Sequence, residues 1–355
     1  GGGTGDATIM LAQQLADIGA SAEIVHLDLS TASIEVARAR AAVRDLTNIS
    51  FVEGSLLDVA EFGLGSFDYI DCCGVLHHLS DPDAGLAALV SVLSEDGGIG
   101  LMVYAELGRT GVYHLQDILR LIAPAALGDE ERLTRTKLLL DGLPATNWFR
   151  RNPLIRDHVV SDAARYDLLL HACDRSYRVP AVYELCTGAG LRLVTFIEPA
   201  LYDPDCLGLP RALRRAVVEL GPAARASFAE LLTAQRRKHI VYAVRADNEV
   251  ALPSPADPSM VPVLRQVEAA ALARGVPAGG TIRVRQPDAD LSLPVPERAP
   301  AIVSRIDGRR TIGDIGAALR SQHADLTEDG YMRQFGALFA ALNGINRLLL
   351  SARPL

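Results

Sequence analysis

Cysteine is scarce, and none of the five sits in a C-x-x-C pair or beside histidines at zinc spacing. Cys72, Cys73, Cys173, Cys186 and Cys206 therefore argue against a disulfide framework and against a structural metal centre. No metal is expected, and a reducing cytoplasm is the expected setting. An uninterrupted apolar run of membrane-spanning length is also missing, although 49% of the 355 residues are hydrophobic, so a globular protein without a membrane partner is expected. No signal-peptide pattern is visible. Nor is there a surplus of positive charge: the formal net charge is −8, which disfavours a generic binder of nucleic acid. The acidity lies in the front of the chain, with 23 basic and 32 acidic residues up to Asn248 against 12 and 11 after it.

What is present begins at once. Gly1-Gly2-Gly3-Thr4-Gly5-Asp6 runs directly into an amphipathic helical pattern carrying Leu11, Leu15 and Ile18 on one face. Glycine lacks a Cβ and tolerates positive φ, so a glycine-rich turn opening a helix lets backbone approach a ligand closely. The next apolar run, Ile24 to Leu27, ends on Asp28, about where a ribose-binding carboxylate follows such a loop in a doubly wound sheet. The pair points to a nucleoside cofactor.

Strand and helix patterns then alternate. Residues 7–19 read as a helix stopped by Gly19 and residues 23–28 as a buried strand. A helix capped by Ser30 runs to Val43, followed by strands at 49–53 and 67–72. Asp81 caps a helix with Leu86, Leu89, Val90 and Leu93 inward, and 99–104 is another strand. This rhythm implies a parallel sheet with helices on both faces.

The segments Asn48 to Asp58, Phe67 to Pro82 (with Cys-Cys-Gly-Val-Leu-His-His) and Leu93 to Gly98, in register behind the glycine loop, resemble class I S-adenosylmethionine-dependent methyltransferases. The resemblance is dense over the first hundred residues and thinner to about Asp247. It implies an α/β, doubly wound, mostly parallel Rossmann-like sheet, with S-adenosyl-L-methionine as cofactor and S-adenosyl-L-homocysteine as product. In the family the glycine loop follows the central strand, whereas this chain starts on the loop, so a first strand is expected to precede Gly1. The resemblance implies that Gly1, Gly3 and Gly5 pass beneath the methionine and ribose, that Asp28, followed by Leu29, takes the ribose hydroxyls, and that the end of the 67–73 strand, Cys73, offers a carbonyl to the methionine ammonium. Ser55 stands where the family commonly has an acidic residue, which leaves the adenine contact open among Ser55, Leu56 and Asp58.

On the acceptor side the resemblance carries less. His77 and His78 follow the strand ending at Cys73, and His78 could remove a proton from an acceptor. Such a pair is common in the family whatever the substrate, which favours a hydrogen-bonding role. Tyr104 closes the next strand as a pocket-lining candidate. Residues 105–175 read as a helical insertion above the carboxyl edge of the sheet, a natural lid, with Arg109, Tyr113, His114, Trp148, Arg150, Arg151, Asp174, Arg175 and Tyr177 as candidate cap residues, each of which also reads as a solvated charge or packed aromatic.

The methyltransferase domain is expected over 1–248, a Pro-rich linker over 249–298, and a small module over 299–355 with Thr311 and Thr327 as helix caps and residues 347–351 as a wing. Its Ile306 to Asp314 segment resembles the winged-helix modules of peptide-modifying enzymes. A peptide or protein acceptor would give that module a recognition role; a small-metabolite acceptor would leave it for homodimerisation. A non-catalytic scaffold that retained the fold is a third reading. A nicotinamide-dependent reductase is disfavoured, since no Tyr-x-x-x-Lys pair is present.

Overall fold

The computed structural model describes residues 1–287 and 289–354. Its contacts divide into two compact units, Gly1–Val194 with Thr233–Asn248, and Thr195–Leu232 with Glu249–Leu355.

The first unit is the α/β alternation anticipated from the sequence. Helix α1 (Asp6–Asp17) leads through Gly19, whose φ of 65° ends the helix, to β1 (Ile24–Asp28), α2 (Thr31–Ala42) and β2 (Ile49–Glu53). Strand β3 (Phe67–Cys73), α3 (Pro82–Ser91) and β4 (Leu93–Tyr104) follow. Ser30 caps α2 through the Ser33 amide and Asp81 caps α3 through the Ala84 amide, each satisfying an orphan donor of a first turn. β1 and β2 pair in parallel, as do β3 and β4. A second hydrogen-bonded group has the order β3-β4-β6-β5, in which β5 is Leu191–Phe196 and β6 (Lys238–Arg245) runs antiparallel to β4. Pairing of β3 with β4 is irregular between Phe67 and Tyr69 and becomes regular from Gly98, so β4 begins earlier than its apolar run. Ile99, Leu101 and Val103 alternate into the core of β4, and Val241 and Ala243 do so on β6.

Between β4 and β5 lie α4 (Thr110–Ile122), α5 (Asp129–Asp141), α6 (Trp148–Arg151), α7 (Asp162–Leu170) and α8 (Val179–Gly188). The first four form the helical insertion, and it has a core of its own: Val112, Leu115 and Leu119 from one face of α4 pack with Phe149, Ile155 and Leu168 to Leu170. Each such side chain removed from water contributes roughly 1.5–3 kcal/mol, which is why a polar-looking stretch of sequence holds together as a layer.

In the second unit, residues 195–232, including α9 (Arg211–Val218) and α10 (Pro222–Thr233, whose last residue falls in the first unit), group with the C-terminal part and not with the front domain anticipated to run to 248. The reason is local packing. The Ala200 amide donates to the Gly344 carbonyl at 3.0 Å, Phe196 stacks on Tyr202 with ring centroids 3.9 Å apart, and Ala200 to Tyr202 are buried. The stretch 249–298, anticipated as a linker, holds β7 (Val261–Leu264), α11 (Ala269–Gly275) and a hairpin of β8 (Thr281–Arg285) with β9 (Asp290–Pro294). Most of its prolines sit at strand ends and turns; Pro262 lies inside β7, opposite Leu350. Helices α12 (Ala299–Val303), α13 (Ile312–Arg320) and α14 (Glu328–Asn343) follow, and β10 (Leu348–Ser351), the segment anticipated as a wing, pairs antiparallel with β7. Thr311 and Asp314 form a reciprocal capping box on α13, and Tyr331, Phe335, Leu338 and Leu342 of α14 are buried.

Candidate functional site

The glycine loop is held by its own backbone. The Gly1 amino group and the Gly2 amide both donate to the Leu27 carbonyl, at 2.9 and 2.8 Å, so the loop lies along the end of β1. Gly3 and Gly5 have φ of 55° and 89°. Gly5 stands at the N-cap of α1 without any side-chain cap, leaving the first-turn amides to another acceptor. Two of the glycines are also needed for space: a Cβ on Gly1 would come within 2.4 Å of Val75 Cγ2, and one on Gly2 within 2.4 Å of the His26 ring.

Asp28 is the pivot of this edge. Its Oδ2 accepts from the Gly3 amide at 2.7 Å and its Oδ1 from the Ser30 amide at 2.8 Å, which fixes the carboxylate plane with lone pairs to spare. Burial works against its charge, but the Ser30 and Gly3 amides outweigh that and hold its pKa below the ordinary 3.8. The Asp28 carbonyl accepts from the Gly54 amide at 2.9 Å, which brings in the turn after β2. There Ser55 accepts from the Leu57 amide, Leu56 is buried, and Asp58 is exposed. Cys73 ends β3 exposed, next to Gly74 at a φ of 82°, and Val75 touches the loop at Gly1. Although Cys73 as a whole is exposed, desolvation of its sulfur and then Asp71 push the thiol up to about 12, so it is protonated at neutral pH. Gly1, Gly3, Gly5, Asp28, Ser55 and Cys73 thus gather at the carboxyl ends of β1, β2 and β3. Leu29 points to solvent at 71% exposure, and Asp58 takes part through its amide, which donates to the Ser55 carbonyl at 3.1 Å.

His26 is a member of this edge that sequence reasoning missed. It is buried beneath Gly2, with Nδ1 hydrogen-bonded to Thr8 Oγ1 at 2.8 Å, and it ties α1 to β1. Burial lowers its pKa, the Asp28 charge opposing. Its only signal was a polar residue inside an apolar strand.

Four residues past Cys73 the chemistry changes. His77 is fully buried, its ring 3.9 Å from that of Tyr104 and 4.2 Å from that of His78. Burial, then the neighbouring His78 and Arg109, push its pKa down to about 3, so it is neutral at physiological pH. The Arg109 guanidinium lies 3.7 Å from the centre of the Tyr104 ring, a cation–π contact. Arg109 Nη2 donates to Asp174 Oδ2 at 3.0 Å, its Nε donates to the Tyr113 hydroxyl at 3.0 Å, and Gln116 Nε2 donates to the same Asp174 oxygen at 2.8 Å. The Arg109 and Asp174 side chains are only 6% and 0% exposed, so this ion pair is removed from solvent. Burial keeps the Tyr104 phenol protonated above its ordinary 10.0. His78 donates from Nδ1 to the Cys173 carbonyl at 2.9 Å, and its ring lies 4.0 Å from that of His171. Of the anticipated cap residues, Arg109, Tyr113 and Asp174 converge here; Trp148 and Arg151 pair instead with each other on the outer surface, and Arg150 donates to the Leu143 carbonyl. Gln116, Asp167 and His171 were not foreseen.

Residues 1–99 match the family described as a methyltransferase domain. An uncharacterized protein of Synechococcus sp. is 34% identical over 237 residues, covering 65% of this chain and 56% of that protein. The ubiquinone biosynthesis O-methyltransferase of Neisseria meningitidis is 32% identical over 88 residues, 25% of this chain and 37% of that enzyme. The chain thus spans little more than half, or less, of these relatives. PKMT2 of Rickettsia typhi has the same fold across 99% of this chain and 69% of its own, with a TM-score of 0.66 at 15% identity. A second structure of PKMT2, in complex with AdoHcy, aligns over 99% of this chain and 70% of its own with a TM-score of 0.64 at 13% identity. Among the described residues no helix is long and apolar enough to cross a membrane. The loop, the carboxylate after β1 and the turns after β2 and β3 thus lie in one place, within the stretch 1–99 that matches the methyltransferase-domain family, on a fold like that of PKMT2.

Proposed function

We propose that the chain transfers the methyl group of S-adenosylmethionine to a peptide or protein acceptor. The observation that carries the reading is the Asp28 carboxylate, pinned by the Gly3 and Ser30 amides beside an uncapped α1 N-terminus. The fit is chemical. Ribose hydroxyls need an acceptor of fixed orientation, an amino-acid carboxylate suits unpaired helix amides, and the turn of Ser55 and Leu56 flanks the same edge. When bound, the cofactor supplies a methyl group on a cationic sulfur.

The residues of this chain have the task of alignment. Displacement at carbon needs acceptor and methyl held in line, and positioning can supply on the order of 7–11 kcal/mol. Tyr104 and His78 are the acceptor-side candidates. Tyr104 is clamped by Arg109 and His77, so its phenol is a fixed wall and hydrogen-bonding group. His77, neutral and buried, packs rather than takes protons. The helical insertion is the natural cover for this edge, since its Asp174 and Cys173 reach back to Arg109 and His78.

The acceptor class draws support from the C-terminal unit, whose Ile306 to Asp314 segment resembles the winged-helix modules of peptide-modifying enzymes and would serve recognition. A small-metabolite acceptor is the second reading, favoured by the ubiquinone-biosynthesis O-methyltransferases among the relatives. Calorimetry with S-adenosylhomocysteine tests the first step: binding is expected, with none for a dinucleotide, and its loss in Asp28→Ala locates the site. Labelled donor incubated with lysate separates the acceptors, by label in the protein fraction or in the small-molecule fraction. A chain that binds the cofactor but labels neither fraction would be the non-catalytic scaffold.

A further inference from the structure

We propose that His78, Asp167 and His171 form a binding site for a divalent transition-metal ion of the zinc class, which ties helix α7 of the insertion to the loop after β3. Their candidate ligand atoms lie within 4.8 Å of one another. Two imidazoles and a carboxylate are a donor set that holds zinc with a fourth position left for water, at about 2.0–2.2 Å from the metal. Side-chain rotation of the exposed Asp167 closes the remaining gap.

Three independent features favour the assignment. Asp167 lies in the last turn of α7 (Asp162–Leu170) and His171, four residues on, is that helix's C-cap, so the two stand on one side of its end. The His78 ring is oriented by its Nδ1–H, which donates to the Cys173 carbonyl at 2.9 Å, so in the neutral ring Nε2 carries the free lone pair. A carbonyl behind one ring nitrogen is the device that fixes the tautomer of metal-ligating histidines. Finally, the His78 and His171 rings approach to 4.0 Å between centroids at a tilt of 37°, which brings two imidazoles side by side. A shared cation gives that pair a purpose. His171 Nδ1 accepts from the Cys173 amide at 3.2 Å, a long contact that would yield when the ring turns an unprotonated nitrogen to the ion. A depression of about 420 Å³ lined by Asp129, Asp162, Tyr166, Asp167 and His171 gives access from solvent.

The residues are 89 and 93 positions apart along the chain, so no sequence spacing could reveal the set. Its consequence for the site is organisational. With Nε2 on a metal, His78 orients the insertion over the cofactor edge and does not itself transfer protons.

The test uses the full chain, stripped with chelator and titrated with Zn²⁺ by calorimetry, and with Co²⁺ by absorption. One ion per chain is expected, with cobalt bands of nitrogen and oxygen ligation and no thiolate charge-transfer band. Loss of an outer-shell partner alone costs about 10- to 100-fold, so His171→Ala and Asp167→Ala, each removing a ligand, are expected to weaken binding at least as much, whereas Cys173→Ser leaves it intact. Far-UV circular dichroism shows that each variant is folded. S-adenosylhomocysteine affinity is read separately, so failure of the metal site and failure of the methyl-transfer reading are distinct results. Absence of stoichiometric binding by the wild type, a thiolate band, or equal affinity in the folded His171→Ala, Asp167→Ala double variant overturns the proposal.

Discussion

The two sides of the candidate site are built in opposite ways. The cofactor edge is made of backbone: amides of Gly3, Ser30 and Gly54 converge on Asp28, and glycines supply both positive φ and closeness. The acceptor side is made of side chains gathered from positions 77 to 174, with Arg109 and Asp174 paired out of water. A backbone site serves an invariant ligand and needs only short-range sequence to specify it. A side-chain network in a low-dielectric setting depends on every member being satisfied. The first should therefore lose binding when cut and keep its fold, while the second should lose stability.

The largest effect is expected at Asp174. Asp174→Ala leaves the Arg109 guanidinium buried without its counter-charge and strips Gln116 of a partner. Breaking a buried pair from one side costs about 3–5 kcal/mol. Chemical unfolding of the first unit should shift by that amount, and limited proteolysis should open residues 105–175 first. Asp174→Asn, which keeps an acceptor for Gln116, should fall between. Cofactor affinity should change far less than stability; an equal loss of both would erase the distinction between the two sides.

Asp28→Ala is the complementary cut. Hydrogen bonds to a charged group are worth about 1.5–3 kcal/mol, so S-adenosylhomocysteine affinity should fall roughly 10- to 150-fold, with a smaller loss of stability from the freed Gly3 and Ser30 amides. The pH dependence has a defined sign. Because the folded pKa of Asp28 lies below its ordinary 3.8, the group's contribution to stability is fully present above that value and is lost only as pH falls through the lower folded value. Affinity should stay flat across neutral pH, and a titration of binding near neutrality would point to another group.

The same contrast explains what was legible. Ser30, Asp81, Thr311 and Thr327 were readable as caps because a cap is specified within four residues, and all four accept the expected amides. The order of strands and helices through Tyr104 was readable for a like reason, since each period is local. Residues 195–232, expected in the front domain, cluster by contacts with the C-terminal part, because their partners, such as Gly344 for Ala200, lie more than a hundred residues away. The strands within 249–298 were hidden by prolines at turns, at strand ends and, as Pro262, inside β7, where composition reads as linker. On the acceptor side Arg109, Tyr113 and Asp174 could be named as candidates, but nothing local distinguished them from Trp148 or Arg151, which face outward. Distance along the chain, more than residue type, decided what sequence could specify.

A smaller effect is expected at Gly3. No atom lies within 4 Å of a Cβ built there, so Gly3→Ala meets strain alone, from a φ of 55°. That costs roughly 1–2 kcal/mol, felt as reduced cofactor affinity if the loop relaxes away from Asp28. Gly2→Ala, driven into the His26 ring, should be worse. Equal tolerance of the two would mean that the loop is not seated as described.

The smallest effect lies in the second unit and serves as the reference for the others. Thr311 accepts from the Asp314 amide at 3.1 Å while its own amide donates to the Asp314 carboxylate at 3.0 Å, closing both ends of the capping box. Thr311→Ala removes the side-chain half and should cost about 1 kcal/mol, seen as a shift in the unfolding of that unit alone. The capping box is built wholly from residues of α13 and its cap, so S-adenosylhomocysteine affinity should be unchanged within error. If modification of a peptide or protein acceptor falls in Thr311→Ala while cofactor affinity holds, recognition resides in the C-terminal helices. If a small-molecule acceptor is turned over at the full rate by the same variant, those helices are dispensable to chemistry and the insertion alone selects the substrate.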